Sequence, residues 1–268
     1  MKHASVIAGI VTLCLIAGCG RHAVKHEPVV LPSEEIPAIE RAESLGNQIY
    51  VQDLYAAQAT ALLIAHGLEP LEMGMLGWIT ESRQDGCVVT FVGGDPEQWR
   101  SICTIAFAER TDPNIVLVDR DLTETQSAMF NARQLALGSI EKSCSDAYNT
   151  VVLPRDDGPG WLAYALAATS DPNLVLVGGH YRATVSEDGR TVLERRGFTK
   201  DCLVLKKPEN LGPDVDVAAY TLGHVLDRTP TEIHVYLNLL YGKPLYVVTV
   251  DRRFWRIEGG KIQLLGLP

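Results

Sequence analysis

The stretch 87–108, CVVTFVGGDPEQWRSICTIAFA, decides the architecture. Two runs rich in Val, Ile, Thr and Phe flank Gly93-Gly94-Asp95-Pro96. Such runs on either side of a Gly/Asp/Pro turn fold back as an antiparallel hairpin. Gln84-Asp85-Gly86 precedes the first run and Thr111-Asp112-Pro113 follows the second, so further strands are predicted around Trp78 and over 114–118. A small antiparallel sheet is the expectation for 76–118.

On the N-terminal side of this sheet, Ser33 followed by Glu34 and Glu35 predicts a helix start, with acidic groups near the positive end of the helix dipole. Pro37 fits only in its first turn. The helix runs to His66, and Gly67 is the natural C-cap. Leu54, Ala57, Ala61 and Ala65 form a small-residue stripe at helical spacing, expected to pack on the sheet. On the other side, Asp121 with Glu124 or Thr123 with Gln126 gives capping-box spacing, and a second helix is predicted towards Lys142.

After Cys144 the chain reads as strand and turn. Candidates are 149–153, 161–168, 174–186, 190–196 and 202–205, with Asp188-Gly189 as a two-residue hairpin signal. Tyr181, Ala183 and Val185 alternate with His180, Arg182 and Thr184, which predicts one buried and one wet face. The pattern continues over 217–226, 231–240, 245–250, 253–258 and 261–265, where the Gly259-Gly260 turn sets Glu258 opposite Lys261. The fold class is α+β: an N-terminal helix, a small antiparallel sheet, a second helix, then a long antiparallel β-meander. A lobe over 33–143 and a β lobe over 144–268 are expected, or one continuous domain. Asp112–Val118 echoes Asp171–Val177 nearly residue for residue. The tryptophans ahead of them, Trp78 and Trp161, stand 34 and 10 residues away, so the spacing of a true repeat is missing.

The start of the chain carries a different signal. Lys2 precedes an apolar run, ASVIAGIVTLCLIA over 4–17. At 14 residues it is shorter than the roughly 20 that cross a bilayer, which is the layout of a removable secretory signal. Leu15-Ile16-Ala17-Gly18-Cys19 resembles the lipobox of bacterial lipoproteins. The resemblance implies cleavage before Cys19, diacylglycerol on its thiol and acylation of the new amino terminus, so that lipid on Cys19 holds the protein on a membrane. It implies the cell envelope, and Gly20 after the cysteine points to an outer membrane, facing the periplasm. Residues 19–32 then read as a tether, in which His22 and His26 are solvated linker residues rather than metal ligands.

Removing 1–18 takes one lysine from a chain of formal charge −9, so the mature body carries −10. An acidic body argues against nucleic acid as a partner. Of six cysteines, Cys14 leaves with the signal and Cys19 is lipidated, so Cys87, Cys103, Cys144 and Cys202 remain in an oxidising compartment. The expected disulfides are Cys87 with Cys103, across the hairpin, and Cys144 with Cys202. None of the four has a CxxC or CxxH spacing, so no metal is predicted.

No G-x-S-x-G, H-E-x-x-H, phosphate loop or EF-hand loop is present, and no cofactor is implied. The least ordinary polar segment is Gly178-Gly179-His180-Tyr181-Arg182. There His180 and Arg182 could form a binding or acid-base site with His224 or His234, against the plainer reading of a glycine bulge. Asp119 with Asp121 and Asp156 with Asp157 are better read as turn caps than as a glycosidase dyad. Arg252, Arg253 and Arg256 read as a polar hairpin turn before an acidic partner or lipid headgroup. The sequence thus supports a membrane-anchored envelope lipoprotein with a non-enzymatic binding or structural role towards an envelope protein or wall component. An inhibitor or immunity protein is one version. The alternative is a cell-wall or glycan hydrolase whose site no motif marks.

Overall fold

The computed structural model describes residues 31–108, 112–207 and 216–266. The signal, the lipobox with Cys19, and the tether up to residue 30 lie outside the described residues. No described helix is long and apolar enough to cross a membrane. The fold is α+β, with three helices and fourteen strands among the described residues. It divides into two units, one of residues up to Asn47 together with 206 onward, the other Gln48–Leu205. The boundary expected after residue 143 falls inside the second unit.

Helix α1 (Ile36–Ala65), whose residues from Gln48 onward belong to the second unit, leads into a meander of β1 (Gly77–Arg83), β2 (Gly86–Asp95), β3 (Gln98–Ala108) and β4 (Asn114–Asp121), all antiparallel in that order. Ala59 and Leu63 of α1 bury against Val89, Phe91, Cys103 and Ile105. The expected stripe is displaced: Leu54, Ala57, Ala61 and Ala65 are exposed, and the buried face is Ile49, Ala56, Ala59 and Leu63. Alanines lie on both faces and large apolar residues do too, since Leu54 and Ile64 are exposed while Ile49 and Leu63 are buried, so composition does not tell the faces apart.

Helix α2 (Glu124–Leu137) repeats the arrangement before a second meander, β5 (Ala147–Pro154), β6 (Trp161–Ala168), then β7 (Leu174–Leu176), β8 (Tyr181–Val185) and β9 (Val192–Gly197). The four-stranded sheet is ordered β5-β6-β8-β9, while β7 pairs with β10 (Val204–Lys206). Of the two candidate capping boxes Thr123 with Gln126 forms: Thr123 Oγ1 accepts the Gln126 N–H at 3.2 Å and Gln126 Oε1 accepts the Thr123 N–H at 3.2 Å. Phe130, Ala132 and Ala136 of α2 bury with Ala163, Ala165, Ala183 and Val185 and with Ile79, Val92 and Trp99 of the first sheet. The unit is thus twice a helix followed by a four-stranded meander. The echoed segments are not equivalent within it, since Asn114 opens the last strand of the first sheet and Leu174 opens β7, outside the second.

In the first unit, β11 (Tyr220–His224) is joined through α3 (Glu232–Tyr241) to β12 (Leu245–Thr249), and the two strands pair in parallel. β13 (Phe254–Glu258) and β14 (Lys261–Gly266) continue antiparallel, with Glu258 opposite Lys261 as expected. The predicted strand 231–240 is therefore a helix. All of 232–238 is buried, and a helix buried on every side loses the 3.6-residue period that would have distinguished it. Its ends are built in the sequence: Thr231 is the N-cap, and Gly242 closes the helix at φ 61°. Trp255, Val247 and Ile257 form the centre of this core.

Candidate functional site

The expected site at His180 and Arg182 does not lie on a wet face. Every residue of β8 is buried, and His180 is 1 % exposed. His180 Nε2 donates to Leu176 O at 3.0 Å and Nδ1 accepts the Ala167 N–H at 3.2 Å. Burial pulls the imidazole down to about 4, so it is neutral at pH 7. Arg182 lies 5.9 Å from the Phe198 ring centre and reaches towards Glu194 at 3.9 Å. The glycines before them meet packing demands. A β-carbon on Gly178 would stand 2.5 Å from Asp201 O and Leu203 N, and one on Gly179 would stand 2.4 Å from Cβ of Cys144.

Cys144 and Cys202 form the expected disulfide, with Cα atoms 5.2 Å apart. Cys87 and Cys103 do not pair; both are free and buried. The hairpin turns later than the pairing requires, with Asp95 opposite Gln98, so Cys87 faces Phe107 and Cys103 faces Phe91. Four ladder steps separate them, about 14 Å at the strand rise, where a disulfide needs Cα atoms within about 7 Å. Burial pushes the Cys87 thiol up to about 12 and raises that of Cys103.

The other candidates resolve into local pairing. Arg100 binds Asp119 at 2.6 Å and Asp121 at 2.8 Å, and Arg155 binds Asp157 at 2.8 Å. Arg253 is 7 % exposed, in a fork with Glu35 and Asp251, rather than on a surface turn. His224 and His234 belong to the first unit and meet each other edge to face at 4.7 Å. His224 Nε2 lies 2.7 Å from Asp227 Oδ2, and His234 Nδ1 accepts the N–H of the N-cap Thr231 at 2.9 Å. The histidine thus takes the place that Glu or Gln holds in a capping box. Among the described residues, no group of three or more His, Cys, Asp or Glu is placed to hold a metal.

Two features escaped the sequence. Arg133, on the buried face of α2, donates through Nε to Thr150 Oγ1 at 2.9 Å and lies over the rings of Trp78 and Phe130 at 5.5 and 5.3 Å. Burial lowers this guanidinium to about 10, and Gly77 leaves room for it, since a β-carbon there would fall 2.3 Å from Cζ. The group ties β1, α2 and β5 together.

The second feature is a cleft of about 1150 Å³ at the N-terminal end of α2. Its walls are Glu124, Ser127, Ala128 and Asn131 of α2, Pro154, Arg155 and Gly158 to Trp161 around the β5–β6 turn, and Ser186 to Asp188 with Arg190 and Thr191 of the β8–β9 loop. Trp161 Nε1 donates to Glu187 O at 3.0 Å, which ties the indole to that loop. Arg155, braced by Asp157 and by Pro159 O at 3.3 Å, stands on the β5–β6 side. The loop is wider than a two-residue turn: Ser186 N–H donates to Thr191 O at 2.9 Å, and Gly189 at φ 72° sits on the Ala128 backbone. Beyond this contact a cavity of about 420 Å³ continues along α2, lined by Trp99, Asn131 and Gln134. Trp99 Nε1 donates to Asn131 Oδ1 at 2.7 Å. Only Asp188-Gly189 and the α2 cap marked this place in the sequence, because the walls come from three separate segments.

Compared with protein-family models, with curated proteins and with solved structures, the chain matches none.

Proposed function

We propose that this protein is a non-enzymatic binding module of the bacterial envelope, held on a membrane by lipid on Cys19, with the cleft at the start of α2 as its binding surface. The observation that carries the reading is the cleft itself. At about 1150 Å³ it is as large as sites that enclose a drug-sized ligand, and it combines a fixed indole with amide, hydroxyl and guanidinium groups. The loop that forms one wall is braced by Ser186 and Asp188, at 2.5 Å between Oγ and Oδ1, so little ordering remains to be done when a ligand binds. The lipobox resemblance at Leu15–Cys19 supports the anchoring, and the acidic body favours an envelope partner over a nucleic acid.

Two measurements test this. Cys19→Ser should leave the signal uncut or release the protein from the membrane fraction; a processed, membrane-bound Cys19→Ser protein would end the anchoring proposal. Affinity capture from envelope extract should retain a stoichiometric component that is lost with Arg190→Ala and Trp161→Phe in the cleft. Retention unchanged by both would remove the cleft as the binding surface, and turnover of wall fragments by the purified protein would favour the hydrolase.

A further inference from the structure

The lining of the cleft narrows its ligand to one chemical class. We infer that it binds a glycan carrying acetamido groups, an inference that rests on the cleft being the binding surface. Three observations carry it. First, Trp161 is held by its own Nε1 bond to Glu187 O at 3.0 Å, so the indole is set before any ligand arrives. A flat aromatic ring held in this way suits the C–H face of a pyranose, and its rigidity spares the entropy of ordering it on binding.

Second, the charges in the cleft are compensated. Arg155 is paired with Asp157 at 2.8 Å, and the Arg190 side chain shares the lining with the carboxylates of Asp188, which feels its charge, Glu124 and Glu187. A phosphate or polyanion would meet these carboxylates and find no surplus of cations. An acyl chain would take the water from these groups and offer nothing in return, at roughly 1–3 kcal/mol for each donor or acceptor left unsatisfied. A neutral ligand dense in hydroxyls and amides meets neither penalty.

Third, the Asn131 carboxamide is oriented. Its Oδ1 is occupied by Trp99 Nε1 at 2.7 Å, so Nδ2 presents donors where the larger and smaller cavities adjoin. An amide N–H₂ aimed in this way matches the carbonyl of an acetamido substituent. The two cavities, about 1150 and 420 Å³, lie end to end along α2 and suit a short oligomer better than one sugar ring.

The test is titration of the purified full chain with tetra-N-acetylchitotetraose, with cellotetraose as the matched oligomer lacking acetamido groups. Tryptophan fluorescence and co-sedimentation with purified cell-wall sacculi are the readouts. Saturable binding of chitotetraose is expected, weakened about tenfold, equivalent to 1.4 kcal/mol, in Asn131→Ala and in Trp161→Phe, with cellotetraose weaker by a similar factor. Arg190→Ala, at an exposed side chain, serves as a third variant, and unchanged urea midpoints certify that the variants are folded. No binding of either oligosaccharide or of sacculi at millimolar concentration would overturn the glycan assignment. The cleft reading would still stand if the envelope component captured by the protein, a polypeptide in that case, were lost with the same variants. Sugar binding unaffected by all three variants would overturn the assignment and the cleft together.

Discussion

Gly179 is packed on Cys144 so closely that a β-carbon on the glycine would stand 2.4 Å from Cβ and 2.9 Å from Sγ of the cysteine. The glycine also has φ 86°, a backbone conformation that L side chains rarely adopt. The two demands coincide at one atom, so neither can be relieved by moving the other. Gly179→Ala combines the left-handed backbone penalty of roughly 1–2 kcal/mol with overpacking of roughly 1–3 kcal/mol. A loss of about 3 kcal/mol in urea unfolding at pH 7 is expected. Unchanged stability would mean that the segment between β7 and β8 does not lie on the disulfide.

The four body cysteines should separate chemically into two classes. Cys87 and Cys103 are 2 % and 0 % exposed with raised thiols, so little thiolate is available for reaction, while the Cys144–Cys202 bond has exposed Cys202 at one end. Alkylation without reductant should leave Cys87 and Cys103 unmodified in the native protein and label both after unfolding. Peptide mapping should recover Cys144 linked to Cys202. Closing a loop with a sequence separation of 58 removes about 4 kcal/mol of chain entropy from the unfolded state, so reduction should lower stability by that order. A Cys87–Cys103 cross-linked peptide would overturn the β2–β3 register.

That register marks where the sequence stopped being informative. That the chain turns back near Asp95-Pro96 was legible from its residues, and so were all four strands around it. What was not legible was the ladder position at which the turn closes, and the bulge between Phe91 and Val92 that shifts pairing by one. Together they displace the pairing by four positions, which leaves the strand prediction intact and ruins a prediction about two sulfurs. The helix α3 was lost for another reason: Ile233, Val235 and Leu237 alternate as a strand would, and Glu232, His234, Tyr236 and Asn238 between them are buried as well. The cleft was lost because Asn131, Trp161 and Gly189 come from separate turns and helices whose local chemistry is that of caps and hairpins. Their convergence is a property of the packing of α2 on the second sheet.

His180 gives a pH dependence whose sign follows from its burial. Its folded value, about 4, lies below the roughly 6.5 of an unperturbed histidine, so between these values the unfolded chain binds a proton that the native one refuses. Its contribution to stability is intact above pH 6.5 and is lost as the pH falls towards 4, up to roughly 3 kcal/mol in all. His180→Gln can still accept from Ala167 N–H and donate to Leu176 O. The difference between wild type and variant isolates this group from the carboxylates that titrate in the same range. Urea midpoints at pH 7, 5.5 and 4.5 should fall more steeply for the wild type. Parallel curves would show that the imidazole is not buried neutral.

The contact of the β8–β9 loop with α2 sets the shape of the proposed site, and it turns on Gly189. A β-carbon there would stand 2.1 Å from Ala128 O, at φ 72°. The loop cannot yield locally, because Asp188 Oδ1 accepts from Ser186 Oγ at 2.5 Å and from Arg190 N–H at 3.1 Å, and Thr191 N–H donates to Ser186 Oγ at 2.9 Å. An added methyl must therefore lift the loop as one piece and open the partition between the two cavities. Gly189→Ala is expected to cost about 2 kcal/mol or more, from backbone strain and from lost packing on α2. Because Trp161 Nε1 is bound to Glu187 O on the same loop, the Trp161 emission, obtained as the difference from Trp161→Phe, should shift towards that of a solvated indole. Amide exchange over 186–191 should accelerate in parallel. A variant with native emission and native exchange in that segment would show that the loop is not seated on the helix, and the cleft would lose one of its walls.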